Sequence, residues 1–353
     1  MYRHLIKYVL CQLAVITVFG CSSDADINTG DGEKTPVTFN LAGTPLNVTR
    51  TTTHEDNSWA INLEVAVKCT EDQDPNNSQL NQVKKYVTAD NDASGYKLVG
   101  SDEANTFFWF SSRLLSFQFW YPYSAAMPTS MTVAADQRNS QVTDAVFDAY
   151  DLLYAEQKEV TPAISTLATL PFYHQMSLMT LNVTIDGSVT DETLESVTLN
   201  SDGDIFLTCS SWTPVTANDD ATSSAKEGAE WGTLSDAVHT ITPRQLSGGK
   251  YVCILPPQDL PASTTLTFTT RLSDNSVRTY KLVGGFEGGL SLCAGNNHVI
   301  NATVSRIGVT AKIVVTPWDP EGSGSALFGR IGLSERITVN DLNDADRTGI
   351  ITF

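Results

Sequence analysis

Residues 264–283 read TTLTFTTRLSDNSVRTYKLV, two runs of β-branched, aromatic and aliphatic residues on either side of the turn-forming Ser273-Asp274-Asn275-Ser276. Such side chains suit a pleated, half-buried surface, and a polar cluster between two such runs marks a turn between strands. The theme recurs through the second half in VTLN (197–200), DIFLTCS (204–210), KYVCIL (250–255), HVINATVSRI (298–307) and AKIVVTPW (311–318). Many short strands at this spacing predict an all-β chain built as antiparallel β-sandwiches. The first half follows suit. Val37, Phe39 and Leu41 alternate with polar neighbours, as do Ile61, Leu63, Val65 and Val67, and later Leu181, Val183 and Ile185, while 106–110 and 115–121 are rich in aromatics. Helical periodicity is scarce; the best candidate is 144–156, where Val146, Tyr150, Leu153 and Tyr154 could share a face, either over the whole run or over only one or two turns. No solenoid-type repeat is present.

The first twenty residues belong to another class of signal. Arg3 and Lys7 precede an apolar stretch from Tyr8 to Phe19 that is too short to span a bilayer, and Val18-Phe19-Gly20-Cys21 closes it. This is the layout of a bacterial lipoprotein signal, in which Cys21 becomes the acylated N-terminus and several buried acyl chains give a stable outer-membrane anchor. The alternative is an ordinary cleaved signal peptide with an incidental cysteine. The expected organisation is therefore a signal peptide (1–20), an acidic tether (21–34), an N-terminal sandwich (35–160), a C-terminal sandwich (161–318) and an extension (319–353). The weakly patterned stretch 159–169 is the candidate link between the sandwiches.

The chain holds 22 Lys and Arg against 40 Asp and Glu, a formal charge of −18; loss of Arg3 and Lys7 leaves 20 against 40, about −20. Such acidity disfavours nucleic acid and anionic membrane surfaces as partners. Beyond Cys21, four cysteines remain: Cys69, Cys209, Cys253 and Cys293. None has the spacing of a metal site, and an exported chain can either pair them or bury them as thiols. The sequons at Asn47, Asn76, Asn182 and Asn301 have no role in a bacterial setting.

Signatures of catalysis are missing from the sequence. His54, His174, His239 and His298 are far apart, and there is no HExxH, GxSxG or phosphate-binding glycine loop. His174, in Pro171-Phe172-Tyr173-His174-Gln175-Met176, reads as a packed histidine with a satisfied ring nitrogen. Glu71-Asp72-Gln73-Asp74 lacks the glycine and distal glutamate of an EF-hand loop. We therefore expect no catalytic residues, no metal and no cofactor. The aromatic segment offers a binding reading, with Trp109, Trp120, Tyr121 and Tyr123 as a stacking platform for glycans or other surface ligands if exposed. Alternation along a strand would instead send about half of these rings inward.

The order of several motifs resembles the fimbrillin family of Bacteroidetes pili, including its Mfa-like lipoproteins. These are Thr49-Arg50-Thr51 after an early strand, Trp59 before the next, Phe119-Trp120-Tyr121-Pro122-Tyr123, Asp151-Leu152-Leu153-Tyr154-Ala155, Phe172-Tyr173-His174-Gln175-Met176, Ile254-Leu255-Pro256-Pro257-Gln258, Cys293-Ala294-Gly295-Asn296 and Trp318. The resemblance implies two tandem transthyretin-like antiparallel sandwiches, lipoprotein export, and proteolytic maturation between Arg50 and Thr51. Loss of the first strand would open a groove for a strand of another pilus subunit, joined head to tail. The chain departs from the family pattern after Trp318, where a Gly/Ser hinge leads to about thirty further residues. Ile331, Leu333, Ile337 and Val339 in that extension are the candidate donor-strand residues; the alternatives are that the extension folds back on its own domain or is a feature of a tip or accessory subunit.

Overall fold

In a computed structural model of the chain, the described residues are 35–41, 61–72, 78–90, 96–110, 114–161, 169–170, 172–189, 191–214, 230–283, 286, 289–317 and 348–350. Among them nearly all regular structure is strand, and most neighbouring strands run antiparallel. The all-β reading of the sequence is correct.

Eight strands form the first sheet, in the order Thr169–Leu170, Phe39–Leu41, Tyr96–Gly100, Val83–Asp90, Glu64–Asp72, Leu115–Tyr121, Leu153–Val160 and Tyr173–His174. Every pair is antiparallel except the first, which is parallel. Alternate side chains of these strands meet in one core made of Val37, Phe39, Leu41, Val65, Val67, Tyr86, Leu98, Phe107, Phe117, Phe119 and their neighbours. A short ladder between Thr35–Pro36 and Phe108–Trp109 lies beside it.

A second core fills the space between two further sheets. One runs Arg244–Ser247, Lys250–Leu255, Ser177–Ile185, Asn296–Ser305, Gly308–Pro317, and the other runs Glu230–Ile241, Glu192–Thr213, Thr265–Leu272, Val277–Val283, Thr348–Ile350. The stretch 264–283 supplies two adjacent strands of the latter, in register from Leu266↔Leu282 to Arg271↔Val277. Gly248 and Gly249, both at positive φ, make the tight connection between Arg244–Ser247 and Lys250–Leu255, where side chains other than glycine are strained.

The two cores exchange chain. Val133, Val142, Phe147, Leu152 and Tyr154 pack in the second core, whereas Leu170 and Phe172 return to the first. The helix expected over 144–156 is real only over Asp144–Asp148, capped by Thr143, whose side chain accepts from the Val146 N–H. Beyond it, Leu153–Val160 is a strand, with Tyr121↔Leu153, Trp120↔Tyr154 and Phe119↔Ala155 in register. Strand pairing overrides the helical pattern because opposite faces of this strand enter different cores: Leu153 belongs to the first and Tyr154 to the second. Arg244 fastens the helical segment to the second core, donating to the Val142 carbonyl at 2.9 Å and pairing with Asp144.

Candidate functional site

The part of the molecule that carries a function legible from geometry is the first strand and the groove around it. Thr35, Pro36 and Val37 run antiparallel to 107–109, with Thr35↔Trp109 and Pro36↔Phe108 opposite each other. The chain then changes partner. Phe39 and Asn40 pair with Leu98 and Lys97 on one side, while Asn40 and Leu41 pair with Thr169 and Leu170 on the other. This short segment thus lies inside the sheet, between two strands that would both lose hydrogen-bond partners without it.

Its side chains make the insertion apolar. Val37, Phe39 and Leu41 are 0%, 1% and 1% exposed, while Thr38 and Asn40 point the other way and stay half-buried. The Phe39 ring sits 4.8 Å from Phe119, 5.1 Å from Phe117 and 5.9 Å from Tyr86, the first two in edge-to-face contact. Aromatic contacts of this kind add about 0.5–1.5 kcal/mol per pair beyond the area they bury. Phe39 is therefore the central plug of the first core.

A polar feature lies at the same place. The Val37 N–H donates to the Phe107 carbonyl at 2.8 Å, but the return bond is indirect. The Phe107 N–H donates to Tyr86 Oη at 3.0 Å, and Tyr86 Oη donates to the Val37 carbonyl at 3.1 Å. Burial pushes the Tyr86 phenol well above its ordinary pKa, only partly opposed by the bond from the Phe107 backbone, so it stays a neutral donor. Nearby, Lys84 Nζ donates to the Thr106 carbonyl at 2.6 Å and lies 4.8 Å above the Phe107 ring; burial lowers its pKa. Gln79 holds the next residue of that strand, its side-chain amide bonding both the N–H and the carbonyl of Phe108 at 2.9 and 2.8 Å.

Several sequence expectations meet the structure here. Trp109, Trp120 and Tyr121 are 3%, 0% and 7% exposed, so these three rings are core and the stacking platform is corrected. Trp109 lies in the first core beside Phe107; Trp120, opposite Ala66, spends its indole N–H on Ser124 Oγ at 2.9 Å. Tyr123 is half-buried under Lys85 Nζ at 4.8 Å. Phe108 and Phe110 keep partly open faces and line an open cleft of about 620 Å³ with Gln79, Gln82, Lys84 and Glu103. Cys21, Arg50, Thr51, Ile331, Leu333, Ile337 and Val339 lie outside the described residues. Of the C-terminal extension, Thr348–Ile350 is described, as a parallel edge strand on Lys281–Val283 of its own chain. Nothing in the sequence singles out Tyr86: it occupies an inward position of an ordinary strand, and its partner Val37 is 49 residues away.

The rest of the chain offers no competing chemistry among the described residues. His174 Nδ1 meets Asp151 Oδ1 at 2.7 Å, as a packed histidine should, with both side chains sealed from solvent at 1% and 0% exposure. A general base must reach its substrate, and this pair cannot. Cys69, Cys209 and Cys253 are buried free thiols, each pushed up to about 12 by burial, and Cys293 is also free. Among the described residues no group of three or more His, Cys, Asp or Glu could hold a metal, and no helix is long and apolar enough to cross a membrane.

A profile of the fimbrillin-like family matches residues 49–318. No curated protein sequence matches the chain. Among solved structures, a candidate cell adhesion protein from Bacteroides uniformis is similar over 81% of this chain and 99% of its own, at 17% identity and a TM-score of 0.56. Another, from Bacteroides ovatus, covers 82% of this chain and 99% of its own at 20% identity and a TM-score of 0.50. These two likenesses establish the fold.

Proposed function

Because the chain belongs to the fimbrillin-like family, we propose that it is a structural or accessory subunit of a cell-surface pilus that supports adhesion and is not an enzyme. In this reading the chain is exported as a lipoprotein, anchored in the outer membrane through acylated Cys21, and cut between Arg50 and Thr51. The acyl anchor and the first strand both lie on the N-terminal side of that cut, so one cleavage releases the subunit and empties its groove. A strand of the next subunit then fills the groove, and because donor and acceptor surfaces differ, the contact propagates head to tail into a filament.

The observation that carries this reading is the burial of Val37, Phe39 and Leu41 in a groove walled by Tyr86, Leu98, Phe107, Phe117 and Phe119. A strand of this kind is held by its side chains and ladder bonds, so another strand of similar pattern can replace it. Within the extension, Ile331, Leu333, Ile337 and Val339 are the donor candidates of this chain for another subunit.

The test is N-terminal sequencing of the protein taken from its native cell surface, with electrophoresis in SDS without boiling. A start at Thr51 together with SDS-resistant ladders supports the polymerising subunit. An intact acylated Cys21 and no ladders would instead support a surface lipoprotein that binds glycans or host ligands without polymerising. For that second reading the specific observation is the cleft beside Phe108 and Phe110, the rings in the aromatic segment that line open space.

A further inference from the structure

We infer that the groove selects its strand by a two-point code: the Tyr86 hydroxyl fixes the register on a backbone carbonyl, and the ring socket two residues further on requires an aromatic side chain. The partner is thus an extended segment with the pattern branched aliphatic, any, aromatic, any, aliphatic, the pattern of Val37, Phe39 and Leu41. This rests on the strand-exchange reading and specifies what that exchange accepts.

Two residues opposed in a hydrogen-bonded antiparallel pair exchange both N–H···O bonds directly. Val37 and Phe107 exchange one directly; Tyr86 Oη stands in the other, accepting from the Phe107 N–H and donating to the Val37 carbonyl. The inserted hydroxyl holds the strands apart where the first strand leaves 107–109 for Tyr96–Gly100. An incoming strand that places no carbonyl there leaves a buried hydroxyl without an acceptor, which weakens its binding. A slip by one residue meets a second obstacle, since it turns every apolar side chain away from the core. A slip by two keeps the faces but moves the aromatic out of the space between Phe117, Phe119 and Tyr86.

The code discriminates against part of this chain's own extension. Aligning Ile337 and Val339 with Val37 and Phe39 brings Asp341 to the Leu41 position, and shifting by two brings Glu335 to the Val37 position. Either alignment buries a carboxylate among apolar side chains, which is strongly unfavourable. Gly329, Ile331 and Leu333 avoid the charge but leave an aliphatic in the ring socket and no side chain at the first position. The groove therefore favours a strand from a different subunit over residues 329–341 of a second copy.

The experiment uses the full chain with a sequence-specific protease site inserted between residues 45 and 50, cut, and exposed to labelled peptides whose entry is followed by fluorescence anisotropy. The 35–41 peptide should enter. Its Phe39→Ala form and a peptide of residues 335–341 should each bind about 100-fold more weakly. A version with an ester in place of the Val37–Thr38 amide, which weakens the carbonyl acceptor, should bind about 10-fold more weakly. In Tyr86→Phe protein that ester effect should largely disappear, a coupling that a purely packing role for Tyr86 would not produce. If the 35–41 peptide enters but Phe39→Ala or 335–341 binds equally well, or if the ester effect persists in Tyr86→Phe, the code is wrong while strand exchange stands. Should Tyr86→Phe not fold, the peptide arms on unaltered protein still decide the ring requirement. Entry of no peptide at all would sink strand exchange and the code with it.

Discussion

The two cores are built from the same residue types but tied together differently. The second is enclosed by long strands: Glu192–Thr213 runs for 22 residues, and Asn296–Ser305 and Gly308–Pro317 pair along ten residues each. The first includes Phe39–Leu41, a strand of only three residues that stands second from one end of its sheet. Both cores are apolar and sealed from solvent, but at one end of the first the ladder from Thr169–Leu170 to Tyr96–Gly100 runs through the three residues Phe39–Leu41. The difference lies in how the pieces are connected, not in how apolar the cores are.

The largest effect that tests this contrast is Phe39→Ala. Removing a fully buried phenylalanine should cost about 3–5 kcal/mol, and hydrogen exchange in denaturant should show lost protection across 64–121 while 177–185 and 296–305 keep theirs. A matching loss in both regions would mean that the cores unfold as one unit, and the contrast would fail. Glu192→Ala is the counterpart in the second core. The Glu192 carboxylate, 5% exposed, accepts from Tyr280 Oη at 2.9 Å, Thr270 Oγ1 at 2.6 Å and Arg278 Nη1 at 2.5 Å. Leaving the buried Thr270 and Tyr280 hydroxyls without their acceptor should cost about 1–3 kcal/mol, with protection lost in 265–283 and retained in the first sheet.

Acid sharpens the same comparison. Burial pushes Glu192 upward, but hydrogen bonds from Thr270, Tyr280 and Arg278 outweigh it and hold the carboxyl below its ordinary 4.5. A group depressed in the fold contributes stability above its unfolded pKa and withdraws it as pH falls through the lower folded value. The second core should therefore weaken below about pH 4.5, and Glu192→Gln should flatten that part of the stability profile measured by urea denaturation. At the small end, Arg271→Ala breaks a surface pair with Glu195 whose partners are 40% and 32% exposed, and should leave the urea midpoint nearly unchanged. A larger loss would show that the exposed face of the sheet around the second core carries more of its stability than its interior suggests.

Much of this architecture is legible in the chain's own pattern. Alternation in 37–41, 63–67, 181–185 and 264–283 places the right faces inward, because a side-chain period of two admits one apolar face at a time, whereas Ile61, read as part of the second run, is 58% exposed and precedes the strand Glu64–Asp72. The aromatic segment is half legible. Phe107 and Trp109 go inward and Phe108 and Phe110 outward, as alternation demands, but Trp120 is buried too because its sheet is covered on both faces at that point. A helical reading of 144–156 fails beyond 148, since a short run can satisfy a helical period by chance while its long-range strand partners stay invisible. The exchange of segments between cores, with 133–152 going one way and 170–172 the other, leaves no compositional mark either.

The sequence by itself determined the strand content, the inward faces and the motif order that identifies the family, because each is encoded in spacings of a few residues. Tertiary structure alone decided that Phe39–Leu41 lies between Tyr96–Gly100 and Thr169–Leu170, and that Tyr86 inserts its hydroxyl between Val37 and Phe107. Those contacts join residues tens to more than a hundred positions apart. Local pattern fixes which face of a strand is apolar; which strand it meets, and through which atom, depends on how the whole chain closes.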